Sequence, residues 1–468
     1  MVSLSRRGFV AALGCSVAAC TTPMRGLAAR PVDVAIVGAG LSGLHAATTL
    51  ERAGLQVVVL EADDRIGGRA HTLYDLPGSP DVGGIQIGSN YDRVRAAAQR
   101  FGVEIFTPPP RPAGSLYNID GVSMTAAQWP GQLAERLTPM ERAVPPEALL
   151  MAYMRQFPAL SSPEDWMLDS SDALDISVRA MADQHGASAE ALRLIDANLN
   201  GSDVDHLSAL HVARSLAIYR RSSGPYGMVR GGTQRLTDAM AQSLAGDVRV
   251  NSPVAALTES DDRVRIALAG GGQVEARHVI CTAPFAAMRD MHIDAPLSAE
   301  LRQMIAQLPY TKASFVFLQA SDPFWKNDGL PHDMWSDDPL IGRVFVLGEE
   351  PPLLKVWVNG VNAEAFDAMD SASAAAAVIA RIEQARPSAR GKLSLMKAWS
   401  WQAQPFARGV YAHMAAGQRQ ALAASCRFTG RRLHFAGDHL GRAFTGFEGA
   451  MESAELAVKT ILDGNLPA

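Results

Sequence analysis

Cysteine is scarce in this chain of 468 residues, with four in all: Cys15, Cys20, Cys281 and Cys426. They show no metal-type spacing, and two of them fall in the first thirty residues, so we expect neither a disulfide scaffold nor a metal site. Lysine and arginine are not clustered and the net charge is only −5, which argues against a nucleic-acid-binding surface. After residue 30 no apolar run is long enough to cross a bilayer.

What is present is the composition of an ordinary globular protein. Hydrophobic residues make up 48% of the chain and charged residues 19%, which is ordinary for such proteins. The length exceeds that of one simple core, so we expect two interwoven domains.

The first thirty residues have the layout of a twin-arginine export signal. The pair Arg6-Arg7 stands just before a modest apolar run, Phe9 to Ala19, which is too short for a stable transmembrane helix. Two endings stay open: Val17-Ala18-Ala19-Cys20 resembles a lipobox, whereas Gly26-Leu27-Ala28 offers a small-residue cleavage site. We therefore expect a protein of the periplasm or cell envelope, exported already folded. If the lipobox is used, a lipid anchor at Cys20 would be its contact with the membrane.

A strand, a glycine turn, a helix and a second strand follow. Val32 to Val37 is typical of a buried parallel strand, and Gln56 to Leu60 predicts the next one. Between them the residues Gly38-Ala39-Gly40-Leu41-Ser42-Gly43 lead into a helix that reaches about Ala53. This is one βαβ unit, which opens a doubly wound domain.

The glycine turn has the spacing of a dinucleotide-binding site. Gly38 allows the tight turn, Gly40 lets the backbone approach a pyrophosphate, and Gly43 lets the helix pack close to the strand. The start of the helix, with Leu41 and Ser42, presents free N–H groups to the phosphates.

The residues after the second strand favour a flavin. Glu61 can accept hydrogen bonds from ribose hydroxyls and would repel a 2′-phosphate, which disfavours NADP. In Gly67-Gly68-Arg69, Gly68 lets the loop cover the pyrophosphate and Arg69 can neutralise it. Asp81-Val82-Gly83-Gly84 then predicts a second turn, near the flavin ring.

The rest of the chain predicts a second domain. Prolines between Thr107 and Pro112 suit a crossing between domains. Residues 126–221 are predicted to be mostly helical, with one helix over Ala180 to Asn198, and residues 310–361 to form an antiparallel sheet. A helix is expected from about Glu448 to Leu462.

We therefore expect an α/β fold in which a Rossmann-like FAD-binding domain is interwoven with a substrate domain of mixed antiparallel sheet and helices. The predicted ranges are the export signal at 1–30, the FAD-binding domain at 31–106, 225–290 and 396–468, and the substrate-binding domain at 107–224 and 291–395.

These motifs resemble the flavin-containing amine oxidase superfamily, which includes monoamine oxidases, polyamine oxidases and L-amino-acid oxidases. The resemblance extends over residues 32 to 464. It is carried by the GAGLSG turn, Glu61 with IGGR, Asp81 to Gly88, Gly231-Gly232 with Leu236, Pro405 to Tyr411, and FAGDHLGRAFTGFEGAMESA near the end. The motifs are far more specific for the family than for a substrate.

The resemblance implies further contacts with FAD. Val254 would hold the adenine through its backbone, and Asp438 would bond the ribityl chain. A helix that begins near Gly449, with Ala450 and Met451, would aim its amides at the flavin N1/O2 edge, where reduced flavin carries negative charge. Val410 stands where some monoamine oxidases have a flavin-linking cysteine, so the FAD should be non-covalent. The predicted cofactor set is completed by Ala62, Gly84, Ile85 and Gly437.

The same resemblance places an aromatic pair beside the amine. Tyr411 stands at the position of one wall. The second wall is open, because the segment Thr445 to Gly449 is one residue short of the monoamine oxidase pattern. Gly446 can occupy that place, or Phe444 or Phe447 can substitute.

A lysine near flavin N5 is common in the family. Lys312 is the nearby candidate, although the best alignment puts Ser314 or Phe315 at that position and a solvated lysine is the alternative. Without a lysine there, a cytochrome or quinone becomes a plausible electron acceptor beside oxygen.

The function that the resemblance implies is oxidation of a primary or secondary amine to an imine, by hydride transfer to flavin N5. Amino-acid oxidases commonly carry an arginine just after the second glycine pair, whereas Ile85-Gln86-Ile87 follows here. This favours an amine without an α-carboxylate.

The alternatives to amine oxidation are an L-amino-acid oxidase, a flavin-dependent C–C desaturase, and a periplasmic binding protein with a vestigial flavin fold. Monomer and homodimer both stay open.

Overall fold

Nineteen β-strands run through residues 32–465, the part of the chain that this computed structural model describes. In chain order they are β1 (Val32–Val37), β2 (Val57–Leu60), β3 (Ile105–Phe106), β4 (Ser115–Ile119), β5 (Val122–Met124), β6 (Met228–Val229), β7 (Val248–Arg249), β8 (Val254–Glu259), β9 (Val264–Leu268), β10 (Gln273–Cys281), β11 (His292–Asp294), β12 (Tyr310–Thr311), β13 (Ala313–Ala320), β14 (Asp333–Ser336), β15 (Arg343–Glu349), β16 (Pro352–Asn359), β17 (Leu393–Ser400), β18 (Tyr411–Ala412) and β19 (Leu433–Phe435). The described residues form one compact unit.

Fifteen α-helices connect these strands within the same residues. They are α1 (Leu41–Arg52), α2 (Asp92–Arg100), α3 (Trp129–Gln132), α4 (Pro139–Arg142), α5 (Leu149–Met154), α6 (Val178–Gln184), α7 (Ala189–Ala197), α8 (Ala209–Arg220), α9 (Gln234–Gln242), α10 (Phe285–Met288), α11 (Ala299–Gln307), α12 (Gly360–Asp367), α13 (Ser371–Ala385), α14 (Arg419–Arg427) and α15 (Gly446–Asn465). Short 3-10 helices cover Pro146–Ala148, Pro163–Met167, Asp169–Leu174, Phe324–Lys326, Pro387–Ala389 and Asp438–Leu440. None of the helices in residues 32–465 has the length and hydropathy to cross a bilayer.

The first sheet contains the predicted βαβ unit. Its order is β11-β8-β9-β10-β1-β2-β7, and β19 also pairs with β10. Strand β1 lies parallel to both neighbours, with Ile36 opposite Ile280 of β10 and Val59 of β2. All four residues of β2 are buried, as expected for a parallel strand covered on both faces. The predicted strand–helix–strand order is confirmed by β1, α1 and β2.

Helix α1 packs very close to the turn from which it starts. A Cβ on Gly43 would lie 2.0 Å from the carbonyl oxygen of Gly38, so a larger residue would push the helix off the strand. On its other side α1 meets α15, where Leu44 and Ala47 share one apolar cluster with Ala454. The helix is therefore held with its N-terminus at the end of β1.

The second sheet forms a wall with two different faces. Its order is β17-β13-β16-β15-β14-β4-β5, antiparallel except for β14 and β4. One face packs against α12 and α13 through a cluster that includes Val316, Leu354 and Val378. Because side chains alternate along a strand, residues in register share a face. The face opposite α12 and α13 carries one row across six strands: Tyr117, Trp335, Arg343, Trp357, Phe315 and Trp399.

Three sequence expectations need correction or lie outside these residues. The single helix predicted over residues 180–198 is two helices, α6 and α7, because Gly186 has φ +73° and Ser188 then caps α7 by accepting from the Ala191 amide. Helix α15 begins at Gly446, earlier than predicted. The export signal and lipobox lie outside the described residues, and the division into two domains stays a prediction.

Candidate active site

One cavity of about 1070 Å³ is lined by residues of the two large sheets and of the two-stranded sheet formed by β12 and β18. At one end lie Gly38 and Gly40 of the turn after β1, and at the other lie Trp357 of β16 and Tyr411 of β18. Pockets for small molecules usually measure about 300–1,000 Å³. This cavity therefore has room for a cofactor and a substrate together.

Most of the residues singled out in the sequence come together in this cavity. All of the predicted cofactor-binding and catalytic residues except three line it: Gly38, Gly40, Leu41, Ser42, Glu61, Ala62, Gly67, Gly68, Arg69, Gly84, Ile85, Val254, Tyr411, Gly437, Asp438, Phe447 and Ala450. Their assembly from distant parts of the chain follows from the pairing of β1 with β2 and β10, and of β10 with β19.

The three exceptions lie elsewhere for identifiable reasons. Gly43 lies where α1 approaches the strand, as described above. The side chain of Met451 is fully buried in the apolar cluster that residues of α1 and α15 share, rather than at the cavity. Lys312 forms an ion pair with Glu364 and is 41% exposed, so the predicted catalytic lysine is a surface residue.

The end of the cavity at Gly38 and Gly40, which we call the dinucleotide end, fits a phosphate-bearing cofactor. The Ser42 hydroxyl lies in the first turn of α1, is buried, and has no hydrogen-bond partner in the described residues. A Cβ on Gly40 would meet no protein atom closer than 3.9 Å, so the space beside this residue is open to a ligand. Free amides at a helix N-terminus complete an anion-binding site.

Glu61 is held at the end of β2 by two backbone amides. It accepts from Ala39 N at 2.7 Å and from Asp63 N at 2.9 Å. Burial raises the pKa of Glu61, and these two amides offset part of that shift. Each carboxylate oxygen keeps a second lone pair, so Glu61 can still accept from ribose hydroxyls.

Arg69 and Asp438 form an ion pair inside the cavity lining. Arg69 also donates to the carbonyl oxygen of Val410 at 3.3 Å. Burial opposes ionisation of Asp438, but Arg69 and His439 together lower its pKa well below the usual range. The sequence assigned these two residues to separate parts of FAD, but in the structure they form one ion pair.

Aromatic side chains surround the other end. Burial raises the pKa of Tyr411 to about 12, so its phenol is neutral at ordinary pH. The Phe447 ring packs directly on Gly84, where a Cβ would lie 2.5 Å from Cζ. Phe444 instead meets Tyr91 edge-on at 6.1 Å between ring centroids, outside the lining. Of the aromatic alternatives for the second wall, Phe447 is the one that the structure brings to the cavity, together with Gly446.

Two cationic side chains at this end were missed by sequence reasoning. Lys355 of β16 is 3% exposed and donates to the Asp81 carbonyl oxygen at 2.9 Å. Burial lowers its pKa to about 7. Arg343 of β15 lies with its Cζ 4.3 Å from the ring centroid of Trp357. The available signal was a lysine two residues before a tryptophan in an otherwise apolar strand, which places both on one face.

Comparison with known proteins agrees with this geometry. Residues 41–462 match the family described as flavin containing amine oxidoreductase. The chain is 24% identical over 485 residues to the flavin-dependent L-tryptophan oxidase RebO of Lentzea aerocolonigenes, and the match covers 92% of this chain and 98% of that protein. It is 24% identical over 347 residues to flavin-containing amine oxidase B of Homo sapiens, with 69% of this chain and 61% of that protein covered.

A solved structure shows the same fold. Cyclohexylamine oxidase from Brevibacterium oxydans has a TM-score of 0.77 and 23% sequence identity, and the likeness covers 93% of this chain and 99% of that chain. Since the family match spans nearly all of the chain, this protein belongs to the flavin-containing amine oxidoreductase family and is an enzyme that oxidises amines with a flavin.

Proposed function

We propose that the protein binds FAD non-covalently and oxidises a primary or secondary amine to an imine, which water hydrolyses to an aldehyde or ketone. The observation that carries this proposal is the continuity of the cavity. The same space is lined by Ser42 and Glu61 at one end and by Trp357 and Tyr411 at the other. When bound, FAD would supply the hydride acceptor.

The residues at the dinucleotide end have distinct roles in this proposal. The N-terminus of α1 and the unpaired Ser42 hydroxyl bind phosphate oxygens. Glu61 accepts from the ribose. In the described residues no cysteine lines the cavity, and Cys281 and Cys426 are free and buried elsewhere, which supports non-covalent binding.

The residues at the other end position the amine and exclude water. Tyr411, Phe447 and Trp357 offer apolar ring faces beside which an uncharged amine can lie. A substrate amine loses a proton before it gives up a hydride. Lys355, whose pKa is about 7, can hold that proton at Nζ, because a large share of it is neutral at pH 7.

Anaerobic titration of the purified yellow protein tests this function. A panel of amines and amino acids is added while the flavin absorbance is followed, and oxygen, a cytochrome or a quinone is then supplied. We expect bleaching by at least one amine and recovery with one acceptor. Acid precipitation should leave FAD in the supernatant. A protein that no amine bleaches, or a flavin that stays with the pellet, would contradict the corresponding part of the proposal.

We also propose export by the twin-arginine route, which carries folded proteins and so allows FAD to be bound in the cytoplasm first. The support is the Arg6-Arg7 pair before the apolar run. Replacing both arginines with lysine should retain the active enzyme in the cytoplasmic fraction. Cys20→Ala, compared with the unaltered chain, separates a lipid anchor from simple cleavage.

A further inference from the structure

Arg343 occupies the middle of the aromatic row on the cavity face of the second sheet. It lies opposite Trp335 of β14 and opposite Trp357 of β16. Its guanidinium stacks on Trp357, and all three side chains line the cavity. The strand register therefore places Arg343 beside two tryptophans, and its guanidinium contacts the ring of one of them, Trp357.

The hydrogen-bonding capacity of Arg343 is largely unused. Nη2 donates to the Asn200 side-chain oxygen at 2.8 Å, and that same oxygen also accepts from Asn359 at 2.9 Å. Nε is buried and has no partner among residues 32–465. Arg69, in contrast, has Asp438, and Arg214 has three backbone carbonyl groups.

None of the carboxylates that line the cavity forms an ion pair with Arg343. Arginine stays protonated even where burial lowers its pKa, as it does here. Arg343 is half-buried, and a partly desolvated cation without an anion is costly, so an anion is expected beside it. The carboxylates that line the cavity all have other partners: Glu61 with the amides of Ala39 and Asp63, Asp63 with Arg65, Glu147 with the Tyr117 hydroxyl, and Asp438 with Arg69.

We propose that the substrate carries a carboxylate and that Arg343 binds it, so that the substrate class is an amino acid or another amine with an anionic group. This inference rests on the proposed function. A planar guanidinium matches a carboxylate with two parallel hydrogen bonds, and Trp335 and Trp357 suit an apolar or aromatic body next to it. The absence of an arginine after Gly84 is then no obstacle, because the second sheet supplies the cation.

Binding of carboxylates that cannot be oxidised tests the site directly. Calorimetry on the holoenzyme compares 3-phenylpropionate with its neutral analogue 3-phenylpropanamide. We expect the wild type to prefer the carboxylate, Arg343→Met to weaken its binding by about 10- to 100-fold without affecting the amide, and Arg343→Lys to recover part of the loss. Arg381→Met is the matched control, since Arg381 lies on α13 behind the same sheet and pairs with Asp338. Equal binding of the two probes by the wild type, or an unchanged preference in Arg343→Met, would overturn the proposal.

The rate at which different substrates reduce the flavin shows where on the substrate the carboxylate must lie. Under anaerobic conditions, the rate of flavin reduction is measured with L-phenylalanine, 4-(2-aminoethyl)benzoate and 2-phenylethylamine, which carry an α-carboxylate, a distal carboxylate and none. We expect one of the first two to be fastest in the wild type and to lose its advantage in Arg343→Met. If 2-phenylethylamine is as fast, the proposal fails while amine oxidation stands. If none of a wide amine panel reduces the flavin, the proposed function fails, and the binding experiment still decides the role of Arg343.

Discussion

The two ends of the cavity are built in different ways. At the dinucleotide end the lining comes mainly from short continuous segments, Gly38 to Ser42 and Leu60 to Ala70. At the other end Trp335, Arg343 and Trp357 come from three separate strands, and these side chains meet only because β14, β15 and β16 pair in register. Local motifs can therefore specify the cofactor end, whereas the substrate end depends on strand register. Substitutions at the two ends should accordingly affect different properties.

The largest effect is expected at the glycine turn. Gly40→Val should give a folded but colourless protein, because its side chain would enter the open space beside the turn in which we propose that the pyrophosphate binds. Visible absorbance and circular dichroism measure the two properties. Gly270→Val is the control, since a Cβ there meets nothing within 4 Å and the residue is in the turn between β9 and β10. A yellow Gly40→Val protein with an unchanged spectrum would show that this turn does not approach the cofactor.

The next effect concerns the ion pair of Arg69 and Asp438. Asp438→Asn leaves Arg69 buried without its anion and should lower the free energy of unfolding by about 3 kcal/mol. The lowered pKa of Asp438 means that its contribution is present above about pH 4 and is lost as the pH falls through the pKa of the folded state. The difference between wild type and variant in urea unfolding should thus shrink in acid. Asp290→Asn, which breaks the exposed pair with Arg408, should change little at any pH.

At the substrate end Lys355→Met should change kinetics rather than flavin content. The lysine is charged below pH 7 and neutral above it, so the rate of flavin reduction in the wild type should rise with pH through about 7. The variant should lose this rise and be about 100-fold slower at pH 8. Stopped-flow reduction between pH 6 and 9 gives both values. A variant that keeps the same pH dependence would remove Lys355 from the proton transfer.

The smallest effect is expected for the lysine that sequence reasoning selected. Lys312→Met removes an exposed pair with Glu364 and should alter the free energy of unfolding by less than about 1 kcal/mol. Its rate of flavin reduction should equal that of the wild type across the same pH range. A large loss of rate here, with Lys355→Met unaffected, would reverse the assignment of the two lysines.

The contrast between these two lysines shows how far sequence reasoning reaches. Lys312 precedes β13 in a segment that resembles the family motif, yet its side chain points to Glu364. Phe315, in that same strand, faces the cavity, and Lys355 of the neighbouring strand places its Nζ 4.2 Å from the Phe315 ring centroid. A charge can therefore reach the same region from an adjacent strand, and no pattern within β13 reveals it.

The helical segment shows the same limit on a smaller scale. Residues 180–198 are rich in good helix formers, so a single helix was the natural prediction. Gly186 and the cap at Ser188 divide it instead. Both the glycine and the capping serine are visible in the sequence, but helix propensity alone does not show that they end one helix and start another.

The sequence by itself determined the βαβ unit, the glycine turn, the acidic residue that ends β2, and the family to which the chain belongs. Each depends on residues close together in the chain, whose backbone geometry and charge act over a few ångströms. Only the tertiary structure decided which charged side chains face the cavity, because a strand presents alternate residues to opposite faces and pairing between distant strands sets which face meets the cavity. For that reason Arg343 and Lys355 became visible as functional candidates only once β15 and β16 were in register.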